Sequence, residues 1–591
     1  MSHLSRNDFL KMGTLATLGL VCNNVIAGVP AFSQEALSDD ALMQQLAAAN
    51  DKQVMQLLET VKAGNLGFSR KTAYDIAALT ASYAYPGSAY YHNPQLVTKL
   101  ELLVDFLSSA QTADGTVNIG NLESPPDTAF LVEILCPANS ILLKEKNPAL
   151  DAVNANLKKI IEKAGDALCK GGVHTPNHRW VVSAAMAQVH ALYPGKKYTN
   201  RIAEWLDEGV YMDKDGHFPE RSGTYSSVET TAFITMARFL NKPALFDYVR
   251  RNLRMMYYYM EDNGELVSND SRRQDQYQAR SAAIFYLQYR YMAIHDKDPQ
   301  FAAIAKKIES ALLFDKEVLQ KSLFNFLENE ALQQALPTVA PLENDYEKLF
   351  STSHLLRIKK GSTAMTLFGG TDWPLIIASG RSCSPDFFSY RKGNAILKYM
   401  RLSSAFFSMG YFYSEGIRKE GNKYILHKKT TVPYYQPLPK NKRNKAGDYL
   451  LSPSIDDRFW NKMDFKNRPL SNVKTQEITI ECTANNGVVA LDISVEGLHN
   501  VPVVIELCFA EGGMLSGVTG GEKGNSFLEK DFGTYSSGGD SISFGPGQLA
   551  HKNISGLEGE RYSTHFGLLR TEGMHVYITG ITPFRHVLNF S

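Results

Sequence analysis

The sequence changes its periodicity once, near residue 335, and this change constrains the fold more than any other feature. Before it, apolar residues recur at the three- and four-residue spacing of a buried helix face, as in the segment Leu96–Leu107. After it, apolar and polar residues alternate, as expected of a half-buried strand, in the segment Val489–Val495. The sequence therefore predicts a helical part followed by a β part.

Residue pairs that favour the start of a helix recur throughout the first part. Asn93-Pro94, Asn147-Pro148 and Thr175-Pro176 each combine a good N-cap with a proline suited to the first helical turn. We expect about a dozen helices joined by short connections. A run of helical hairpins of this length either stacks as a solenoid or closes into a toroid. We predict an incomplete (α/α) toroid over residues 34–335.

The second part begins after a linker marked by Pro337, Pro341 and an acidic stretch at 343–345. Asn486-Gly487, just before the alternating segment, is a strong signal for a tight hairpin turn. Long loops separate further short strand signals. We predict an antiparallel β-sandwich domain over residues 336–591.

Composition excludes several classes of protein. Hydrophobic residues make up 44% and charged residues 21%, which is ordinary for a globular chain and excludes disordered, collagen-like and coiled-coil proteins. The 62 Lys and Arg residues nearly balance the 61 Asp and Glu residues, which argues against nucleic acid as the main partner. Beyond the N-terminal segment, no stretch suggests a membrane span, and none is predicted.

Residues 1–33 have the pattern of an export signal. A basic start precedes a mostly apolar run from Met12 to Gly28, and Ala31-Phe32-Ser33 places small residues where a signal peptidase reads them. We predict an exported protein, periplasmic or extracellular. Lipid anchoring at Cys22 is less favoured because Val21 precedes it.

Three segments carry residue types suited to chemistry on an anion. The first is Thr175–Trp180, in which Asn177 and His178 occupy the first turn of a predicted helix. The free N–H groups and the positive dipole end of such a turn favour a carboxylate. His178 could instead cap or pack, and Trp180 is either a sugar-stacking platform or a core residue.

The second segment is Asp215–Tyr225, which begins with an Asp-Gly turn. Ser226 and Glu229 have the spacing of a capping box, which would place Tyr225 at the mouth of the next helix. A phenol there could project into a cleft. The alternative is a tyrosine packed against the helix as a hydrophobic staple.

The third segment is a predicted loop, Ser268–Asp275. Arg272 and Arg273, beside Asn269, have the side chains to bind a carboxylate through a bidentate fork. The alternative is a solvated loop with local Asp–Arg pairs. If the toroid forms, we expect the three segments to open at the same end of it.

These segments resemble the polysaccharide lyases of the heparinase II/III-like and alginate lyase kind, which combine a toroid with an antiparallel β domain. Those enzymes carry Asn-His at the start of a toroid helix, matched by Asn177-His178. They also carry a later motif ending in tyrosine. The residues that match it are Asp215, Gly216, Phe218, Glu220, Ser222 and Tyr225. The pair Arg272-Arg273 is similar to the substrate-carboxylate arginines of chondroitin and hyaluronate lyases.

The resemblance implies β-elimination at a 4-linked uronic acid, and hence an acidic polysaccharide or oligosaccharide as partner. Asn177 with Arg273 or Arg272 would neutralise the carboxylate, while Tyr225 or His178 would move the protons. A free tyrosine has a pKa near ~10, which Arg221 would help to lower. The resemblance also implies contacts to substrate from residues flanking these groups. They are Glu220, Asn269, Arg221 and Trp180.

The chain departs from that family in the β domain. The heparinase-like families supply a histidine there, whereas the nearest stretch, 381–388, contains none, so His354 or His427 are the candidate substitutes. No cofactor and no metal-ligating residues are predicted, although a structural divalent metal is left open. The oligomeric state, monomer or homodimer, is also left open.

Two other functions are compatible with the same features. A glycoside hydrolase on the toroid would need paired carboxylates, for which Asp215, Glu220, Asp270 and Asp275 are available. A non-catalytic glycan-binding protein would need only the binding groups. The products distinguish these functions, since only a lyase leaves a conjugated 4,5-unsaturated uronate.

Overall fold

A computed structural model describes residues 39–62, 64, 66–276, 279–312, 316–370, 376–377, 380–381, 384–408, 410–453, 460–521, 524–554 and 572–591. The predicted export signal, residues 1–33, lies outside them. The described chain divides into two compact units. The helical unit comprises residue 39 to Leu266 and Arg280–Leu342, and the β unit comprises Val267–Ala279 and Glu343–Ser591.

Twelve α-helices lie among the described residues of the helical unit. They are α1 (Asp39–Thr60), α2 (Lys71–Ala84), α3 (Pro94–Ala110), α4 (Pro125–Lys144), α5 (Asp151–Lys170), α6 (Pro176–Leu192), α7 (Lys196–Asp207), α8 (Gly223–Phe239), α9 (Phe246–Tyr257), α10 (Tyr286–Asp296), α11 (Pro299–Leu312) and α12 (Lys316–Glu328).

Alternate helices form two layers. Helices α2, α4, α6 and α8 pack side by side in an inner layer, while α3, α5 and α7 pack behind them. Helix α12 packs on α1 and α2. The predicted toroid is therefore confirmed, and its physical basis is visible in α3, where the predicted leucine face is fully buried. Asn93 caps α3, its side chain accepting a hydrogen bond from the Gln95 backbone N–H.

One described helix, α4, is long and apolar enough to meet the length and hydropathy criteria for a membrane span, and the sequence analysis did not anticipate it. Of the apolar stretch in α4, 72% is buried inside the structure. A core helix passes the same criteria, and α4 packs against α2, α5 and α6.

Twenty-two strands are described in the β unit. They are β1 (Asp345–Phe350), β2 (Leu355–Lys360), β3 (Thr363–Phe368), β4 (Ile376–Ile377), β5 (Gly380–Arg381), β6 (Phe388–Lys392), β7 (Ala395–Ser404), β8 (Gly410–Tyr411), β9 (Ile417–Glu420), β10 (Lys423–Tyr435), β11 (Ser452–Pro453), β12 (Trp460–Asn461), β13 (Leu470–Asn485), β14 (Val488–Glu496), β15 (Pro502–Phe509), β16 (Met514–Ser516), β17 (Thr519–Gly520), β18 (Ser526–Phe527), β19 (Gly533–Ser537), β20 (Asp540–Gly545), β21 (Met574–Ile581) and β22 (Phe584–Phe590).

The strands form two large sheets that share one core. The ten-stranded sheet has the order β1-β2-β3-β6-β7-β15-β21-β18-β17, with β8 paired to β7, and the eight-stranded sheet has the order β16-β19-β20-β22-β14-β13-β10-β9. Apolar side chains of both sheets meet in a single cluster, which makes the unit a β-sandwich. The predicted strand is β14, whose four alternate apolar residues are buried. The predicted turn precedes it, with Asn486 and Gly487 both at positive φ.

One segment departs from the predicted domain boundary. Val267–Ala279, expected inside the helical part, belongs to the β unit. Asn269 explains part of this, because its side-chain Nδ2 donates a 2.7 Å hydrogen bond to the Asp386 carbonyl oxygen. A contact between residues this distant in sequence leaves no local pattern from which it could be predicted.

Candidate active site in the helical unit

Asn177 lies in the first turn of α6 and is fully buried. Its Nδ2 donates to Glu220 Oε1 at 2.6 Å, and its backbone N–H donates to the same oxygen at 3.2 Å. Nδ2 also donates to Thr175 Oγ1 at 3.1 Å, so the Thr175 hydroxyl binds the asparagine side chain rather than a backbone N–H. The first two sequence segments, 43 residues apart, therefore meet at this point.

This arrangement changes what Asn177 offers a ligand. Both hydrogens of its amide are used by Glu220 and Thr175, while Oδ1 has no hydrogen-bond partner among the described residues. In this position Asn177 presents an acceptor, not the donor expected for gripping a carboxylate directly. Glu220, expected to contact substrate, is buried and orients Asn177 instead.

The chain leading to Glu220 is anchored by a turn at Asp213. Its Oδ1 accepts 2.9 Å hydrogen bonds from the backbone N–H groups of Asp215, Gly216 and His217. Asp213, rather than Asp215, therefore carries the turn. The Asn252 side chain adds a 3.0 Å hydrogen bond to the Gly216 carbonyl oxygen, which ties the turn to α9.

Helix α8 begins earlier than the sequence suggested. Ser222 is its N-cap, and the Ser222 hydroxyl accepts a 3.2 Å hydrogen bond from the Tyr225 backbone N–H. Ser226 and Glu229 lie inside the helix and are buried, so the predicted capping box is wrong. The earlier serine has the same capping chemistry, and only the structure shows which one caps. Tyr225, half-buried, occupies the first turn of α8.

Arg221 immediately precedes this cap and is buried, with a backbone φ of 48°. Positive φ in a non-glycine residue is uncommon and costs conformational energy. The chain reverses here between Glu220 and the Ser222 cap. Arg221 therefore lies between Glu220, which orients Asn177, and Ser222, which caps α8.

His178 and Trp180 have different environments although they lie two residues apart. The His178 ring is half-buried and makes edge contacts with the rings of Phe130 at 6.3 Å and His174 at 4.7 Å. Trp180 is only 1% exposed and packs against Phe233 at 5.1 Å. The prediction of Trp180 as a sugar-stacking platform is wrong, because α6 directs that side chain into the core.

The third segment is described within the β unit. Arg273 donates its backbone N–H to Ser271 Oγ at 3.1 Å, and the Ser271 hydroxyl in turn donates to Asp275. Asp270 and Asp275 are buried, which does not favour them as carboxylates of a hydrolase cleft. Asn269 uses its amide N–H on Asp386, as described above. Arg272 and Arg273 are half-buried, and their role with substrate stays a prediction.

Sequence reasoning missed a row of four buried or partly buried charges on and beside the ten-stranded sheet, which we name the charge ladder: Asp386, Arg401, Glu506 and His575. Arg401 Nε donates to Asp386 Oδ1 at 2.5 Å, and its Nη1 lies 3.9 Å from Glu506 Oε1. His575 Nδ1 lies 3.0 Å from the same glutamate oxygen. Opposite charges thus alternate along the ladder.

The ladder shifts the pKa of Arg401 upwards, that of Glu506 downwards and that of His575 upwards. Burial alone would raise the pKa of Glu506, but His575 and Arg401 outweigh it and lower that pKa. Burial alone would lower the pKa of His575, but Cys508 and Glu506 raise it to about 10. In the sequence, Arg401, Glu506 and His575 are polar residues within the largely apolar strands β7, β15 and β21, and no local pattern indicates that they meet.

The two histidines considered for the β domain lie elsewhere. His427 Nε2 lies 2.9 Å from Glu477 Oε1, in a partly exposed group of charged residues on β10 and β13. His354 lies in the turn before β2, at a φ of 56°. Part of the stretch 381–388 lies outside the described residues. Among those that are described, no group of three or more His, Cys, Asp or Glu side chains is placed to hold a metal ion.

Comparison with known proteins yields structural likeness only. No protein-family model and no curated protein matches the chain. Among solved structures, heparinase III matches with a TM-score of 0.55 and 11% identity, over 99% of this chain and 88% of that one. The chondroitin AC lyase of Streptomyces coelicolor A3, solved with chondroitin sulphate, matches with a TM-score of 0.51 and 12% identity, over 99% and 82%. This chain therefore has the fold of the polysaccharide lyases, a helical toroid followed by an antiparallel β domain.

Proposed function

We propose that this protein is a polysaccharide lyase that cleaves the bond to a 4-linked uronic acid by β-elimination and leaves a 4,5-unsaturated uronate. The observation that carries the proposal is the contact between Asn177 and Glu220. It joins the Asn-His start of α6 to the segment that ends in Tyr225. The lyase fold of the whole chain supports the same reaction class.

The reaction needs a neutralised carboxylate, because the C5 proton is too weakly acidic beside an ionised one. In the proposal, the positive end of α6 contributes to that neutralisation. Glu220 fixes the position of Asn177 at the start of α6. In the proposal Asn177, which is fully buried, is a positioning residue for the first turn of α6 and for its neighbour His178.

Proton transfer is assigned to Tyr225 and His178. One takes the C5 proton, the C4–O bond breaks as the C4–C5 double bond forms, and O4 leaves with a proton. If H5 and O4 lie on the same side of the ring, Tyr225 serves both steps. If they lie on opposite sides, His178 and Tyr225 divide them.

The experiment is a panel of uronate-bearing glycans scored for ultraviolet-absorbing product. Chondroitin sulfate, heparan sulfate, alginate and glucuronate-bearing plant glycans cover the class. We expect Tyr225→Phe and His178→Ala to lower kcat by about 10²–10⁴-fold. Tyr248→Phe is the matched control, because Tyr248 is a half-buried tyrosine that packs on Phe233, and its variant should keep full turnover.

Two results would overturn the proposal. New reducing ends without ultraviolet absorbance would indicate a hydrolase. Binding of a glycan with no product, unchanged in Tyr225→Phe, would indicate a glycan-binding protein. The proposal also places the protein outside the cytoplasm, where such polymers occur, and fractionation of cells expressing the full chain tests that location.

A further inference from the structure

The β unit carries a segment that the proposed reaction does not use. Strand β14 pairs with β13 only over Glu477–Asn485, and β9 pairs with β10 only over Lys423–Leu426. Beyond these pairings, β10 and β13 continue as a two-stranded ribbon. We name the end of this ribbon and the described chain between its two strands the arm, which comprises residues 434–453 and 460–473.

Pairing within the arm brings two of its stretches together. Strand β11, which directly follows Leu451, pairs with β12, which begins at Trp460. On the other side of Leu450, Asp448 forms an ion pair with Lys462, which directly follows β12. Because both flanks of the leucine pair contact the stretch that begins at Trp460, the two leucines and the tryptophan lie in one part of the arm.

This part of the arm exposes large apolar side chains. Leu450 is 89% exposed, Leu451 60% and Trp460 68%. On the ribbon, Tyr434 and Leu470 are also more than half exposed. Single exposed apolar residues are ordinary, but a concentration of them marks a surface that meets another molecule or a membrane.

The same segment is basic. Residues 434–473 contain eight Lys or Arg residues against four Asp and no Glu, in a chain whose formal net charge is only +1. Lys440, Lys442 and Lys445 lie in an exposed stretch and form no ion pair with any residue that the structure describes. This local excess of positive charge favours an anionic partner.

We propose that the arm docks on an anionic lipid surface, with Leu450, Leu451 and Trp460 entering the bilayer and the lysines meeting the headgroups. Leucine gains free energy on leaving water for hydrocarbon, and tryptophan is enriched where hydrocarbon meets the headgroups. Lysine stems are long enough to follow an apolar surface while their charge reaches anionic lipid. The docking is peripheral, and it uses none of the residues of the proposed reaction.

Two other partners match the arm less completely. An acidic glycan would suit the lysines and Trp460, but a leucine side chain offers a sugar neither a hydrogen bond nor a ring face. The arm of a second copy would carry the same positive charge and repel the first. An anionic bilayer is the partner that uses both the positive charge and the leucine pair.

The experiment measures Trp460 fluorescence in the full chain with vesicles of brominated phosphatidylcholine, prepared with and without phosphatidylglycerol. Bromine quenches tryptophan only at close range, so the quenching that Trp460→Phe removes is specific to the arm. It does not report on the apolar run from Met12 to Gly28, which can itself meet a bilayer. We expect Trp460 to be quenched on the anionic vesicles, and much less on the neutral ones or at high salt.

Two double variants separate the apolar contribution from the charged one. Leu450→Ser with Leu451→Ser should abolish the quenching of Trp460. Lys440→Gln with Lys442→Gln should lower it on anionic vesicles towards the level on neutral vesicles. The matched control is Leu122→Ser, because Leu122 is an exposed leucine of the helical unit and its variant should be quenched like the unaltered protein. All these side chains are exposed, so the variants should fold.

The inference is overturned if anionic vesicles leave Trp460 unquenched, or if the leucine variant is quenched like the unaltered protein. It is also overturned if chondroitin sulfate or heparan sulfate changes Trp460 fluorescence and vesicles do not, which would assign the arm to a glycan. Dimerisation that the leucine variant loses, without quenching by lipid, would assign the arm to a second copy and overturn it as well. Glycan turnover enters none of these readouts, so this inference and the proposed function fail separately.

Discussion

Two carboxylates, Glu133 in the helical unit and Glu506 in the β unit, have pKa values that are shifted in opposite directions. Glu133 in the helical unit has no ionic partner among the described residues, and burial raises its pKa to about 8. Glu506 in the β unit is also buried, yet His575 and Arg401 hold its pKa below the ordinary value. The desolvation is similar, and the presence of opposite charge decides the outcome.

The same contrast, between a side chain with a partner and one without, recurs at neutral groups. In the charge ladder every member lies beside a group of opposite sign. In the helical unit, acceptors of Asn177, Gln188 and Gln288 have no described partner. Each such oxygen adds a desolvation cost that the surrounding packing must offset.

The largest expected effect is on the charge ladder. Arg401→Met leaves Asp386 and Glu506 buried without their shared cation, and should lower the free energy of unfolding by about 3–5 kcal/mol. Chemical denaturation measures it. Arg585→Met, which breaks an exposed pair with Asp492, is the control and should cost less than about 1 kcal/mol. If both substitutions lowered the free energy of unfolding equally, the expected difference between buried and exposed ion pairs would be contradicted.

A second substitution tests the contact that carries the proposed function. Asn177→Asp places a carboxylate against Glu220 at a buried 2.6 Å contact, and should lower stability by about 2–3 kcal/mol at pH 7. The loss should shrink at pH 4, where one carboxyl takes up a proton. Asn156→Asp is the control, because Asn156 makes the same contact to Asp105 at an exposed position and should cost under about 0.5 kcal/mol.

The third prediction concerns His575, whose pKa rises from 6.5 to about 10 on folding. The folded state then binds more protons than the unfolded state between these values, so stability falls as pH rises through this window. Relative to His575→Gln, the unaltered protein should gain about 1–2 kcal/mol below pH 6.5 and lose that gain near pH 10. Denaturation midpoints across pH 6–10 measure it, and a pH-independent difference would contradict the ladder.

The smallest effect should come from Glu133, whose folded pKa lies above its ordinary value of 4.5. The folded state again binds the extra proton, so the unaltered protein loses stability as pH rises from 4.5 through 8. The Glu133→Gln variant lacks this ionisable group. Above pH 8 its free energy of unfolding should exceed that of the unaltered protein by about 1 kcal/mol, and at pH 4 the two should be equal. Thermal unfolding at both pH values checks it, and Glu330→Gln, on an exposed pair with Lys144, should show no such trend.

Prediction from the sequence succeeded where a signal is local. The leucine face of α3, the alternation of β14 and the turn at Asn486-Gly487 depend on residues within one element or its neighbour. It failed where two local signals compete. Ser222 and Ser226 are both reasonable caps, and Trp180 is compatible with a platform although core packing, which the structure shows, is the more favoured interpretation.

What the sequence determined by itself is the order of the molecule, helices first and strands after, because helical and strand periodicities are properties of a short stretch of chain. Only the tertiary structure decided that Glu220 binds Asn177, that Val267–Ala279 joins the β unit, and that Arg401 lies between two carboxylates. Each of these contacts joins segments distant in the chain. Their partners are chosen by packing and by the need to satisfy buried charge, neither of which leaves a mark in local sequence.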